Sequence, residues 1–350
     1  MGNNVDIEKA WLSPLIFQQS FAECRECFNA VILRAGEVVI SPQGIPSEFV
    51  VRLETFPKDF LSVRRHLFSV LFQSMYALLG LSTAKRLLYG KFNYLFRIWV
   101  TSADNLLDDE DKITLPLRMP GQGHVMKQVV AIMAADRAMS VILNEAVSEQ
   151  VLSYEQAEKL SALTLQVLLP SAAQEASEEG GISRRLSPQE ILEKIHVLKT
   201  GILFNLPFMG PSSIESDLDE VLIVGLKQGL MDFGIGCQIL DDIRDVAIDF
   251  KEKRQNYLLS QIYYFDPAAF NTQLKGLEDN PDSLYNDLNM LEKFISPAAQ
   301  VGNDYLIKGL LRLKAHGLGL DDMDIENIAV SMFHVLHLGE AQQWLKPSLL

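Results

Sequence analysis

The sequence predicts an all-α fold, a single helical domain, and three observations carry that prediction. Long segments repeat apolar residues at a spacing near 3.6. No sustained run alternates apolar and polar residues as a half-buried strand would. Helix start and stop signals fall where the periodic segments begin and end.

Taken in order, the spacing predicts helices over Glu8–Ala35, Ser62–Leu79, Ser82–Leu107, Gly123–Ser148, Tyr154–Glu178, Ser187–Asn205, Ile214–Ile248 and Asn303–Leu313. "SPQE" at Ser187–Glu190 joins an N-cap serine, a first-turn proline and a glutamate three residues on, which is a capping box. "NLPFMGP", Asn205–Pro211, breaks two helices apart. "VVISPQGIPSEFVV" is the one place where a short strand or extended loop is expected, and "EASEEGGISRR" reads as a charged surface loop. No Ser/Gly-rich or Pro-rich linker divides the chain and no fixed repeat is visible, so residues 1–350 read as one domain with peripheral helices at both ends.

The 350 residues are 48% hydrophobic, enough for a large core. With 31 Lys and Arg against 45 Asp and Glu the formal charge is −14, which argues against sequence-independent binding of nucleic acid. Cys24 and Cys27 form a CxxC without a second pair or spaced histidines, so they read as helix residues and not a zinc site. The N-terminus lacks a basic region followed by an apolar core, and Asp6 stands where a myristoylation signal wants Ser or Thr. Leu67–Ala84 carries no formal charge over eighteen residues, but Gln73 and several hydroxyls interrupt it; a buried helix fits better than a membrane span. The expected setting is cytoplasmic, not integral to a membrane.

Two acidic constellations stand out. In "QILDDIRDVAIDF", Asp241, Asp245 and Asp249 recur every four residues among core-type side chains. In "SADNLLDDEDK", 137 residues upstream, Asp104 and Asp108 share a helical face, while Asp109, Glu110 and Lys112 read as surface charge. Two carboxylate faces are what oxygen-preferring divalent cations need, and like-charge repulsion within each raises its affinity for a cation. His124, His196, His316, His334 and His337 show no metal-ligand spacing and read as core or surface residues, and Gly234–Gly236 lies in a helical pattern, away from any nucleotide-binding turn.

These residues give the chain a resemblance to the class I isoprenoid synthases, specifically the trans-prenyl diphosphate synthase (polyprenyl synthetase) branch. "QILDDIRD" resembles the family's second aspartate-rich motif with its preceding Gln, here Gln238. "HVLKTGILF", with Lys199 and Thr200, resembles the Lys-Thr motif and lies 42 residues before Asp241. "DNLLDDE" resembles the first aspartate-rich motif, and "AAQEASEE" around Gln174 is a weaker match. The resemblance covers roughly Arg64 to Tyr257. It implies an isoprenoid-synthase bundle with a deep central cavity, roughly three Mg2+ ions and an allylic prenyl diphosphate as substrate, and is compatible with a homodimer.

It also implies roles. Asp104 and Asp108 hold metal from one wall of that cavity, and Asp241, Asp245 and Asp249 from the other. Lys199 donates to the diphosphate, Asp241 and Asp104 serve the chemistry through metal, and Thr200, Gln238, Lys253 and Arg254 complete the diphosphate contacts. Two departures weigh on the activity. Elongating synthases bind a second diphosphate through arginine-rich motifs, of which "SVRRHLF" keeps Arg64 and Arg65 and "LPLRMPGQGH" keeps Arg118. Asn105 stands where the family usually has Asp. The sequence therefore favours cyclisation or elimination of one allylic diphosphate over condensation with isopentenyl diphosphate or another acceptor. A non-catalytic synthase subunit is the third reading.

Overall fold

Helix capping and apolar periodicity resolve into sixteen α-helical segments among the described residues. The computed structural model describes residues 6–108, 110–121, 123–274 and 284–339. They fall into two compact units.

One unit comprises residues 15–164 and 210–218. Its helices are Leu15–Val38, Val63–Leu78, Thr83–Leu107, His124–Ser148, most of Tyr154–Gln166 and most of Met209–Ile214. Of the uncharged stretch expected to be a buried helix, residues 67–78 lie in the helix Val63–Leu78, with Leu67, Val70, Leu71, Met75 and Tyr76 in the core; the chain then turns and Thr83 starts the next helix. No described helix is long and apolar enough to cross a membrane. Cys24 and Cys27 are buried thiols, and Cys27 Sγ lies 3.4 Å from the Leu87 carbonyl. The segment expected to be extended holds no strand; a two-residue strand, Arg52–Leu53, follows directly on it and pairs antiparallel with Leu117–Arg118, which the sequence reading did not mark. Ser47–Phe49 just before it winds into a 3-10 turn.

The other unit comprises residues 1–14, 165–209 and 219–350. At its centre the helices Glu220–Arg244 and Leu284–Ala315 pack along their length. Glycine permits that approach: a Cβ on Gly236 would lie 2.8 Å from the Gly302 carbonyl oxygen, and one on Gly309 2.6 Å from the Phe233 nitrogen. In the helical "GIG" stretch Gly236 thus serves backbone packing, and Gly234 makes room for the Phe204 ring, 2.8 Å from where its Cβ would lie. Trp11 Nε1 donates to Ser331 Oγ at 2.9 Å, tying the short helix Ile7–Leu12 to the helix Asp322–Val335.

Several boundaries differ from the periodicity reading. Glu8–Ala35 divides at Ser13–Pro14, since proline at residue 14 has no N–H to continue the first ladder. Tyr154–Glu178 divides into Tyr154–Gln166 and Leu169–Ala176, with Pro170 in the first turn of the second. The long helix starts at Glu220, where Asp219 caps the Val221 and Leu222 amides. Asn303–Leu313 is the C-terminal third of Leu284–Ala315, which carries Pro297 inside. Tyr257–Phe265 is apolar almost throughout, so it lacks the periodic contrast that marks an amphipathic helix. The capping box at Ser187 forms as expected, but the helix it starts passes at Ile191 into a π-helix that runs to Gly201.

Candidate active site

In the first unit the helix Thr83–Leu107 ends just where its acids gather. Asp108 is the C-cap residue, its amide donating to the Asp104 carbonyl at 2.9 Å. The chain then turns back, so that one oxygen each of Asp104, Asp108 and Glu110 lies within 4.8 Å of the others. Glu110, read from sequence as surface charge, joins the cluster because the helix stops before it. Asp111 is not part of it and accepts from Lys127 Nζ at 2.8 Å. Asp109 lies outside the described residues.

Asn105 explains its own departure from the family pattern. It is fully buried, and its Nδ2 donates to the Lys112 carbonyl at 2.8 Å and to Gln128 Oε1 at 3.1 Å. Its Oδ1 accepts the Lys112 amide at 3.1 Å. An amide can donate and accept at once; an ionised carboxylate only accepts. Asn105 therefore clasps the returning loop that brings in Glu110. Lys112 Nζ, 3.3 Å from Asp104 and paired also with Glu110, partly offsets the cluster's charge.

In the second unit the ladder keeps its register across a helix junction. The Asp245 amide donates to the Asp241 carbonyl and the Asp249 amide to the Asp245 carbonyl, both at 2.9 Å. The three carboxylates do not converge as the upstream acids do. Arg244 instead bridges two of them, lying 2.6 Å from Asp241 and 2.5 Å from Asp245. Burial pushes the Asp241 carboxyl up to about 7, with Asp245 and Asp242 adding to the rise and Arg244 opposing it. Burial likewise raises Asp249, which accepts from Asn256 Nδ2 at 2.8 Å.

Asp242, the second acid of the motif, points into the protein and is 4% exposed. It accepts from His196 Nε2 at 2.9 Å, Gln238 Nε2 at 3.0 Å and the Tyr257 amide at 2.6 Å. Burial alone would raise its pKa, but the His196 pairing and these hydrogen bonds outweigh it and the carboxyl lies below its usual range. His196 is the buried, bonded residue the sequence suggests.

The Lys-Thr segment lies on the π-helix, a winding found mostly as short insertions and often at functional sites. Thr200 Oγ1 donates to Gln238 Oε1, so Gln238 joins Thr200 to Asp242. Lys199 Nζ lies 3.2 Å from Glu175. Burial opposes its charge, but Glu175, Asp249 and Asp242 prevail and raise its pKa. Gln174, the weaker motif match, donates to the buried Glu178 at 2.7 Å. Lys253 occupies a turn at φ 57°, and Arg254 pairs with Glu252 at 2.8 Å. Hydrogen bonds thus join Thr200, Gln238 and Asp242, and Asn256 links the Asp242 carbonyl to Asp249, while Lys199 pairs with Glu175 and Asp241 with Arg244.

The second-diphosphate candidates are spread more widely within the first unit. Arg64 and Arg65 are exposed on the first turn of Val63–Leu78, and Arg65 lies over the Phe60 ring at 5.2 Å. Arg118 sits on the small strand pair, 3.5 Å from Glu54. Glu110, Asp242, Arg244 and Glu175 escaped the sequence reading. Asp242 and Arg244 stood inside the quoted motif, but periodicity does not tell a ligand from its support.

No protein-family model matches this chain, and no curated protein matches it. Solved structures do. The geranylgeranyl pyrophosphate synthetase of Pyrococcus horikoshii is 18% identical, with a TM-score of 0.58 over 91% of this chain and 98% of that one. The heptaprenyl diphosphate synthase of Staphylococcus aureus is 13% identical, with a TM-score of 0.59 over 90% and 98%. A polyprenyl synthase of Caulobacter crescentus, solved with calcium and isoprenyl diphosphate, is 15% identical, with a TM-score of 0.54 over 96% and 98%. The chain has the isoprenoid-synthase fold. At these identities the likeness establishes architecture, not activity.

The residues fit a divalent cation. Three carboxylates within 4.8 Å offer hard oxygen donors, the set that Mg2+ prefers. Asp241, Asp245 and Asp249 offer the same chemistry, with Arg244 as the competing positive charge.

Proposed function

We propose that this protein is a Mg2+-dependent class I isoprenoid synthase that condenses an allylic prenyl diphosphate with isopentenyl diphosphate or another acceptor. The observation that carries the proposal is the fold match to elongating synthases across nearly the whole chain, joined to an acid cluster fit for metal. Cyclisation or elimination, favoured on sequence because the second-diphosphate motifs are thin, becomes the second reading. The proposal treats residues 1–350 as one functional domain, places it in the cytoplasm and is compatible with a homodimer.

Bound Mg2+ would neutralise charge building on the departing diphosphate. Asp104, Asp108 and Glu110 would hold metal from one motif, and Asp241, Asp245 and Asp249 from the other. Lys199, kept charged by Glu175, would donate to a diphosphate oxygen, and Thr200, Gln238, Lys253 and Arg254 would assist. Arg64, Arg65 and Arg118 would attract the acceptor's diphosphate. The allylic carbon–oxygen bond breaks with its electron pair leaving on pyrophosphate; the acceptor's double bond attacks the cation and a proton is then lost.

The test is incubation of the purified protein with Mg2+ and allylic diphosphates of several lengths, with and without isopentenyl diphosphate. A longer diphosphate formed when both are present supports condensation. Hydrocarbon or alcohol released without the acceptor supports cyclisation or elimination. No turnover under any pairing supports the non-catalytic subunit.

A further inference from the structure

The charged stretch "EASEEGGISRR" forms a strap fastened along one side of the turn that carries Lys253 and Arg254. The Ile182 amide donates to the Lys253 carbonyl at 2.8 Å, and Arg185 Nη1 donates to the Arg254 carbonyl at 3.0 Å. Gln255 completes the attachment. Its amide donates to Glu178 Oε2 at 2.8 Å, while its side chain accepts from the Leu186 amide at 3.1 Å and donates to the Arg184 carbonyl at 2.9 Å. Glu178 is buried and is itself held by Gln174 at 2.7 Å. On the opposite side of the turn, Asn256 Nδ2 donates to the Asp242 carbonyl at 2.6 Å and to the Asp249 carboxylate at 2.8 Å. Burial raises the Glu178 pKa, and the Gln255 amide and the Lys199 charge oppose that rise, so the strap lies within electrostatic reach of Lys199.

These attachments surround a strained residue. Lys253 has a φ of 57°, a left-handed conformation that a residue with a Cβ adopts only at a cost. Gly181, itself at φ 77°, lies against it: a Cβ there would sit 3.3 Å from Lys253 Cβ and 3.6 Å from the Glu252 carbonyl oxygen. A turn that only joined two helices would gain stability from glycine at the strained position. Here lysine stands there instead, and the glycine is on the strap that packs over it. Such strain persists only where the surroundings fix the backbone, and the strap's hydrogen bonds do so. Two adjacent cations on a backbone tied from both sides lose little freedom when they meet an anion.

We propose that Gln255 and Glu178 are positioning residues: through the strap they hold the Lys253–Arg254 turn in the form that meets a diphosphate, so that binding needs no ordering of that turn. The proposal deepens the condensation reading and rests on it for the identity of the anion. Neither Gln255 nor Glu178 need touch the substrate; each acts through the backbone beneath Lys253 and Arg254.

The test is calorimetric titration of inorganic pyrophosphate into the full chain at a fixed Mg2+ concentration, with a thermal melt of each variant. Gln255→Ala and Glu178→Ala should each weaken pyrophosphate binding by about fivefold. Glu178→Gln, which can still accept the Gln255 amide, should bind nearly as wild type. Arg184→Ala leaves its carbonyl in place and should do the same. The deciding measurement uses a background in which both cations are neutralised, Lys253→Met with Arg254→Met. There Gln255→Ala should cost nothing further, because the strap acts only through those two side chains. Gly181→Ala removes no hydrogen bond but crowds Lys253, so it should show the same background-dependent loss even if Gln255→Ala does not fold. A strap serving stability alone would lower the melting temperature and leave pyrophosphate binding unchanged, or weaken it equally in both backgrounds. Either result, or no pyrophosphate binding by wild type, would overturn the proposal. The two readings fail separately. Strap-dependent pyrophosphate binding without any longer product would sink condensation and leave the positioning role; condensation by Gln255→Ala at an unchanged KM for the allylic diphosphate would do the reverse.

Discussion

Arg244 lies 2.6 Å from Asp241, its own neighbour one helical turn back, and 2.5 Å from Asp245. The ladder's mutual repulsion is therefore answered inside the motif. Removing the guanidinium leaves two partly buried carboxylates without their common partner. Arg244→Leu should cost roughly 1–2 kcal/mol of metal-free stability, less than a fully buried pair because both ends are partly solvated. Mg2+ with pyrophosphate should restore part of the loss, since a ligand of the folded state stabilises by mass action. Thermal melts with and without both ligands measure this. A melting temperature equal to wild type without ligands would show that Arg244 is not the counter-charge.

Glu110 gives the second prediction. If Asp104, Asp108 and Glu110 share a cation, Glu110→Ala should weaken Mg2+ binding nearly as much as Asp104→Ala, by tenfold or so, about 1.4 kcal/mol. Asp111→Ala should have little effect, because that side chain is turned to Lys127. Calorimetric titration of Mg2+ into the three variants ranks them. Asp111→Ala as damaging as Glu110→Ala would mean that the loop after Asn105 is set differently.

Asp242 and His196 should behave as structure. The pair is buried, and Asp242 also receives Gln238 and the Tyr257 amide. Breaking a buried pair by removing one partner costs about 3–5 kcal/mol, because the other is left unsatisfied. Asp242→Ala and His196→Ala should each fall in that range by urea melts, and the double variant should cost clearly less than their sum. Additive losses would disprove the coupling.

Helix existence and the motif positions were legible in the sequence because both rest on local spacing. Ser187 capped its helix as its neighbours implied, and His196 proved to be a bonded core residue. What stayed hidden depends on where helices stop and which way side chains then turn. Glu110 joins the acids because the helix ends at Leu107, a boundary set partly by Asn105 reaching to Lys112 and Gln128. The π-helical winding at Lys199 changes the face on which each residue falls, and no 3.6-residue pattern announces it.

His66 supplies a pH test. It is 1% exposed and uses both ring nitrogens, Nε2 donating to the Phe60 carbonyl and Nδ1 accepting from Tyr94 Oη, which is the pattern of a neutral ring. Burial, then the charge of Arg97, lower its pKa from 6.5 to about 4 despite the Phe60 hydrogen bond. Between those values the unfolded chain takes up a proton that the folded chain refuses. Stability from this group is therefore complete above pH 6.5 and is lost as pH falls towards 4. The span corresponds to a loss of roughly 3 kcal/mol. His66→Gln keeps a donor and an acceptor but cannot titrate. Carboxylates titrate in both proteins, so the difference between them isolates the ring. Urea melts from pH 7.5 down to about 4 should show wild type losing more stability than His66→Gln, with the gap opening below pH 6.5. Parallel curves would mean that His66 accepts its proton in the folded protein as readily as in the unfolded one.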